Sequence, residues 1–130
     1  MSPEVVKRKL VSLTTYINDL LKYRKIDFKG FMENHYEVER LIELLVMNAS
    51  DIVFHLIAEK GESAPASYKA AFLRAAELRI ISKKLSKNLA LSAGLRNILV
   101  HEYEEIDYRI VHKSIPSAIK DFTLLVKELS

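Results

Sequence analysis

Chemistry concentrates in one stretch of the chain, Arg96-Asn97-Ile98-Leu99-Val100-His101-Glu102-Tyr103. A guanidinium is permanently cationic and matches phosphate oxygens, an imidazole moves a proton near neutral pH, and a phenol offers a hydroxyl. Together they suit phosphodiester chemistry without a metal. On one continuous ideal helix, at about 100° per residue, Tyr103 falls roughly 20° from Arg96 and His101 about 140° from it, with Asn97 one turn before His101. Such a helix lines Arg96 up with Tyr103 and Asn97 with His101, yet does not alone bring Arg96 and His101 to one point. With seven Arg and four His in 130 residues, chance supplies Arg-x4-His about 0.2 times and the triplet with Tyr about 0.01 times. The non-catalytic reading of the same residues is an Arg paired with a local Glu, a histidine at a helix end and a half-buried Tyr.

The elements that must position this stretch read as helices throughout. Val6, Leu10, Leu13, Ile17 and Leu20 recur at spacings of four and three, giving a first helix over about 3–24, opened by Ser2 as hydroxyl cap, Pro3 and Glu4. Ile26-Asp27-Phe28-Lys29-Gly30 reads as a break. Val38, Leu41, Leu45, Ala49, Ile52 and Leu56, widened by Ile42, Val46, Val53 and Ile57, predict a central second helix over about 34–59, closed by Gly61. Asp51 and His55 lie one turn apart on it and read as a local hydrogen bond rather than an acid–base pair or two metal ligands. After the loop Gly61-Glu62-Ser63-Ala64-Pro65-Ala66, a third helix covers about 67–78, and Ser82 caps a fourth that runs through the motif. Gly94 is expected to let a neighbouring backbone come close, whether of a packed helix or of a substrate. Glu102 projects into the apolar arc of Leu95, Ile98 and Leu99, so either the helix ends there or that carboxylate is paired. Asp107 caps the last helix, with Ile119, Phe122, Val126 and Leu129 as its seam; Pro116 is expected to kink or split it near 112–116, with Ser114 as a second cap. The fold class is therefore all-α, a single-domain antiparallel bundle of about five helices over residues 1–130.

Composition narrows the function. No cysteine is present, which removes disulfides, thiol nucleophiles and thiolate metal sites. Net charge is +3 and the pI near 9.1, mildly favouring a polyanionic partner. Arg74, Arg79, Lys83, Lys84 and Lys87 form a basic stretch opposed only by Glu77, whereas Glu102, Glu104, Glu105 and Asp107 are acidic beside the motif; both runs also read as solvated helix faces. The apolar run over 41–58 is interrupted by Glu43, Asn48, Asp51 and His55 and is not expected to span a membrane. Lys7, Arg8 and Lys9 sit in an amphipathic pattern unlike a secretory signal, so a cytoplasmic location is expected. His35 and His112 read as surface residues. No phosphate-binding glycine loop, dinucleotide fingerprint or zinc-protease helix occurs, and neither a cofactor nor a metal is expected.

The run Gly94-Leu95-Arg96-Asn97-Ile98-Leu99-Val100-His101-Glu102-Tyr103, followed by Ile106-Asp107, resembles the Arg-x4-His-x-Tyr signature of the HepT-like branch of the HEPN superfamily. Val38-Glu39-Arg40-Leu41, Ala49-Ser50-Asp51-Ile52 and Pro65-Ala66-Ser67-Tyr68 are similar to that branch in the expected order, so the resemblance covers nearly the whole chain. It implies a dimeric, all-helical, metal-independent ribonuclease toxin, neutralised by an MntA-like minimal nucleotidyltransferase antitoxin. It further implies Arg96 and His101 as catalytic residues, Asn97 as their support and Tyr103 as acceptor of AMP; the charge distribution makes Arg74, Arg79, Lys83, Lys84 and Lys87 the candidate RNA contacts. A two-fold homodimer would place two copies of the motif helix in one cleft, and the wide stripe of the second helix also reads as calling for one. Two alternatives stand beside this: a non-catalytic HEPN subunit that binds a nucleotide or supports a nucleotidyltransferase, and a helical adaptor with no substrate.

Overall fold

Apolar stripes spaced by three and four residues, separated by short polar turns, fold into helices that must bury those stripes against one another. The computed structural model of the chain describes residues 3–130. It contains α1 (Pro3–Leu21), α2 (Phe28–Glu59), α3 (Tyr68–Glu77), α4 (Lys83–His101), a 3-10 turn (Tyr103–Glu105) and α5 (Tyr108–Leu129), with no strand among the described residues. The expected Ser2 cap lies outside the described residues.

Polar ties across the helices give their directions. Lys9 faces Asp51 at 3.5 Å while Tyr23, past the end of α1, bonds Glu37 near the start of α2, so α1 and α2 are antiparallel. Ser82 bonds Glu128 and Asn88 bonds Asp121, which makes α4 and α5 antiparallel as well. The bond to Glu37, with burial and the charge of Glu37 adding to it, holds the Tyr23 phenol up to about 12.

α2 is longer than its periodicity suggested. Asp27, which reads as part of a break, is its N-cap and accepts the Gly30 N–H at 2.8 Å. Gly30 is in the first turn of the helix, where an added Cβ would lie 2.8 Å from Ile26 Cγ1; the glycine admits a close approach rather than stopping the helix. At the other end Gly61, at φ +76°, takes the expected left-handed position, its N–H donating to Ala58 O and that of Glu62 to Ile57 O.

The wide stripe on α2 is covered within the chain itself, because α1, α3, α4 and α5 all pack on it. Leu45, Val46, Ile52, Val53 and Ile57 are fully buried there, with Phe31, Phe72 and Phe122 the largest fully buried residues of the same core. By length and composition α2 could cross a membrane; its apolar face is instead spent on this core.

Two histidines are not the surface residues the sequence suggests. His112 is part-buried, its Nε2–H donating to Ile26 O at 2.6 Å with Phe28 and Phe31 against the ring. His35 bonds Glu39 one turn on and meets the Tyr108 ring edge-on at 4.9 Å between centroids. Both tie the start of α2 to α5. α5 itself is not divided: it runs unbroken past Pro116, which is exposed, and Ser114 donates to Val111 O at 2.6 Å instead of capping a new helix.

Candidate functional site

α4 carries the motif, and both of its flanks are secured by polar bonds near its start. Ser82 Oγ accepts the Leu85 N–H at 3.3 Å, while the Ser82 N–H and hydroxyl donate to the Glu128 carboxylate at 2.8 and 2.9 Å. Buried Ser86 donates to Phe72 O of α3 at 2.8 Å. Leu85, Leu89, Ala90 and Ala93 form the buried face; beyond Ala93 the helix emerges, with Leu95, Ile98 and Leu99 part-buried. Gly94 admits no neighbouring backbone of this chain, since a Cβ there meets nothing within 4 Å. It borders a groove of about 670 Å³ between α4 and α5, whose rim residues Leu91 and Ile110 are 74% and 57% exposed.

Glu102 ends the helix. Its φ of −129° and ψ of 41° leave helical geometry, its N–H closes onto Ile98 O, and its side chain is exposed. Continuing the helix would have driven that carboxylate into the apolar arc. His101 is thus the last residue of α4 and is exposed. Tyr103 follows in the 3-10 turn, 66% exposed instead of half-buried, so the helical alignment of Arg96 with Tyr103 does not apply. Asp107 restarts the chain as a helix by accepting the Arg109 and Ile110 N–H groups.

Arg96 has an unusual setting. No carboxylate pairs with it among the described residues. Its Nη1 donates to Asn97 Oδ1 at 3.3 Å, its Nε is buried without a partner, and its Cζ lies 4.9 Å from the centroid of the Tyr68 ring. Asn97 is exposed, and its carbonyl oxygen is engaged by Arg96, so the amide is placed beside the guanidinium. Tyr68 is the contact that motif spacing misses: nothing in the pattern Pro65-Ala66-Ser67-Tyr68 says that its ring meets a residue of α4.

The basic stretch is not brought to the motif. Arg74 is held by Glu62 at 3.2 Å and Glu77 at 3.5 Å. Arg79, Lys83, Lys84 and Lys87 are exposed at the opposite end of α4, Lys87 and Lys83 about 21 and 27 Å from His101 along the axis at 1.5 Å per residue. Asp51 pairs with Lys9 at 3.5 Å rather than bonding His55. Among the described residues no group of three or more His, Cys, Asp or Glu side chains could hold a metal ion.

Comparison with known proteins places the chain in a family and matches its fold. The chain is 29% identical over 133 residues to the tRNA nuclease HepT of Aphanizomenon flos-aquae, covering 100% of this chain and 90% of that protein. It is 35% identical over 72 residues to the mRNA nuclease HepT of Shewanella oneidensis, covering 55% and 54%. In fold it is similar to the tri-AMPylated Shewanella oneidensis HEPN toxin solved in complex with MNT antitoxin, with a TM-score of 0.87 at 24% identity over 99% of this chain and 98% of that one. Residues 13–129 match the family model described as ribonuclease HepT-like. With its all-helical bundle and its Arg-x4-His-x-Tyr running from the end of α4 into the turn after it, the chain belongs to the ribonuclease HepT-like family.

Proposed function

We propose that this chain is a metal-independent endoribonuclease, the toxin of a toxin–antitoxin pair, which a minimal nucleotidyltransferase antitoxin silences by transferring AMP to Tyr103. The observation that carries the reading is Arg96. A part-buried guanidinium with no carboxylate beside it is costly unless an anion arrives, and it shares its helix with an exposed histidine. The named nuclease relatives act on RNA of two kinds, which supports RNA as substrate class and the cytoplasm as the place of action.

The chemistry follows from those two side chains. A ribose 2′-hydroxyl attacks the adjacent phosphorus, and His101 takes its proton as the new P–O bond forms. Arg96 stabilises the charge that builds on the non-bridging oxygens. The P–O5′ bond breaks, an imidazolium returns a proton to the leaving oxygen, and the products are a 2′,3′-cyclic phosphate and a 5′-hydroxyl. Asn97 supports by holding the guanidinium and offering its NH2 to phosphate. The large angular offset of Arg96 from His101 on α4, with the exposed apolar rim of Leu91 and Ile110, supports a homodimer in which two copies complete the site. Arg79, Lys83, Lys84 and Lys87 then serve as a remote tract for the backbone of a longer RNA, and Arg74 contributes least because acids already hold it.

Purified protein should cleave RNA in excess chelator and leave cyclic-phosphate ends. Arg96→Ala or His101→Ala should each lower the rate by about 10²–10⁴ with the helical circular dichroism unchanged. Cleavage that survives both substitutions, or that needs a divalent ion, would overturn the reading.

A further inference from the structure

We infer that Tyr68 is a positioning residue for Arg96, setting the plane in which the guanidinium meets a phosphate; this rests on Arg96 being the phosphate-binding group. An arginine side chain unconstrained by its surroundings loses rotamer freedom when a substrate must order it. Here the ordering is already present. The stem passes inward with Nε buried, and Cζ lies 4.9 Å from the Tyr68 ring centroid. Stacking uses the face of the guanidinium, whereas hydrogen bonds to phosphate use its in-plane N–H edge. Ring and anion therefore do not compete for the cation.

Tyr68 is itself held. It is the first residue of α3, where Ser67 caps the helix by accepting the Ala70 N–H at 3.0 Å and its carbonyl accepts the Ala71 N–H at 2.9 Å. Its ring also meets Phe54 of α2 edge-on, at 6.4 Å and 62°. The bond from Ser86 to Phe72 O locks α3 to α4 in the same layer. α2, α3 and α4 thus converge on one aromatic ring, and that ring carries the motif cation. The aromatic face does this work, so the phenolic hydroxyl is dispensable.

The experiment uses the full chain with Tyr68→Phe and Tyr68→Leu, each alone and combined with Arg96→Ala. Tyr68→Leu should lower kcat about tenfold with a smaller change in KM, and Tyr68→Phe should stay within about twofold of the parent. In the Arg96→Ala background Tyr68→Leu should cost nothing more, because it acts through that guanidinium. A second readout needs no activity: the Arg96 Nε–Hε resonance should be displaced upfield by the ring in the parent and in Tyr68→Phe, and return towards the position of exposed arginines in Tyr68→Leu. An undisplaced resonance in the parent, full turnover in Tyr68→Leu, or additive losses with Arg96→Ala would each overturn the inference. If Tyr68→Leu fails to fold, the resonances of the parent and Tyr68→Phe decide. A protein that cleaves no RNA, or loses nothing on Arg96→Ala, refutes the nuclease reading instead and leaves the ring displacement to be judged separately.

Discussion

Arg96 and Tyr103 sit seven residues apart, and the helix end between them separates their roles. Arg96 lies within α4 with its Nε buried, whereas Tyr103 stands on the following turn, 66% exposed and flanked by Glu102, Glu104 and Glu105. An exposed phenol on a short turn suits a modifying enzyme that must reach its oxygen. An AMP group there would bring a phosphodiester and a nucleoside to the segment that follows His101, obstructing RNA by charge and by bulk. Tyr103→Phe should therefore keep most of the nuclease rate, within about threefold, and escape neutralisation when co-expressed with the antitoxin. Intact-mass measurement and peptide mapping check this; AMP found only on another tyrosine such as Tyr108, or full neutralisation of Tyr103→Phe, would move control elsewhere.

At the scale of the elements, two helix ends share one geometry through different residues. Just beyond the ends of α2 and α3 stand Gly61 and Arg79, with φ of 76° and 61°, and Ile80 N–H closes on Ala75 O as Glu62 N–H does on Ile57 O. A left-handed arginine is strained by its Cβ, so Arg79→Gly should raise stability by about 0.5–1 kcal/mol in urea unfolding. If Arg79 also touches RNA, the same variant weakens RNA binding, and the two effects separate cleanly. The α4–α5 pair holds a second stress. Asp121 is buried, and burial pushes its carboxyl above the usual 3.8, against the opposing pull of the Asn88 hydrogen bond and the Lys120 charge. A folded-state value above the unfolded one means that the stabilising contribution is present in acid and lost as pH rises through the folded value. Asp121→Asn keeps an acceptor for Asn88 and removes the charge. Its melting temperature should gain on the parent as pH rises from acid to neutral and converge with it in acid; a constant difference across that range would refute the account.

Across the whole molecule, the core is closed without a second copy, because α2 is covered by the other four helices. The case for a dimer therefore rests on the motif, not on that stripe. If two copies share the cleft, mixing Arg96→Ala with His101→Ala subunits should restore roughly a quarter of parental activity, since half of the dimers are then mixed and each has one intact site. No restoration after subunit exchange, or a monomer that cleaves at the parental rate, would show that one chain suffices.

The pattern of apolar residues by itself determined that this chain is a bundle, that α2 is central, and that Ser67, Ser82, Asp107 and Gly61 mark helix ends, because caps and stripes are local properties of short segments. It also singled out Arg96, Asn97, His101 and Tyr103 as a set by type and spacing. Local rules failed where a residue has two local meanings. Asp27 before Gly30 reads as part of a break, yet its side chain caps α2 by accepting the Gly30 N–H. The carboxylate of Glu102 could pair or end the helix, and the apolar arc settled that. Tertiary structure alone decided the rest. It packed His35 and His112 against aromatic rings and stood Tyr68 under Arg96. Those contacts join residues far apart in the chain, and no periodicity encodes which side chains two packed helices bring face to face.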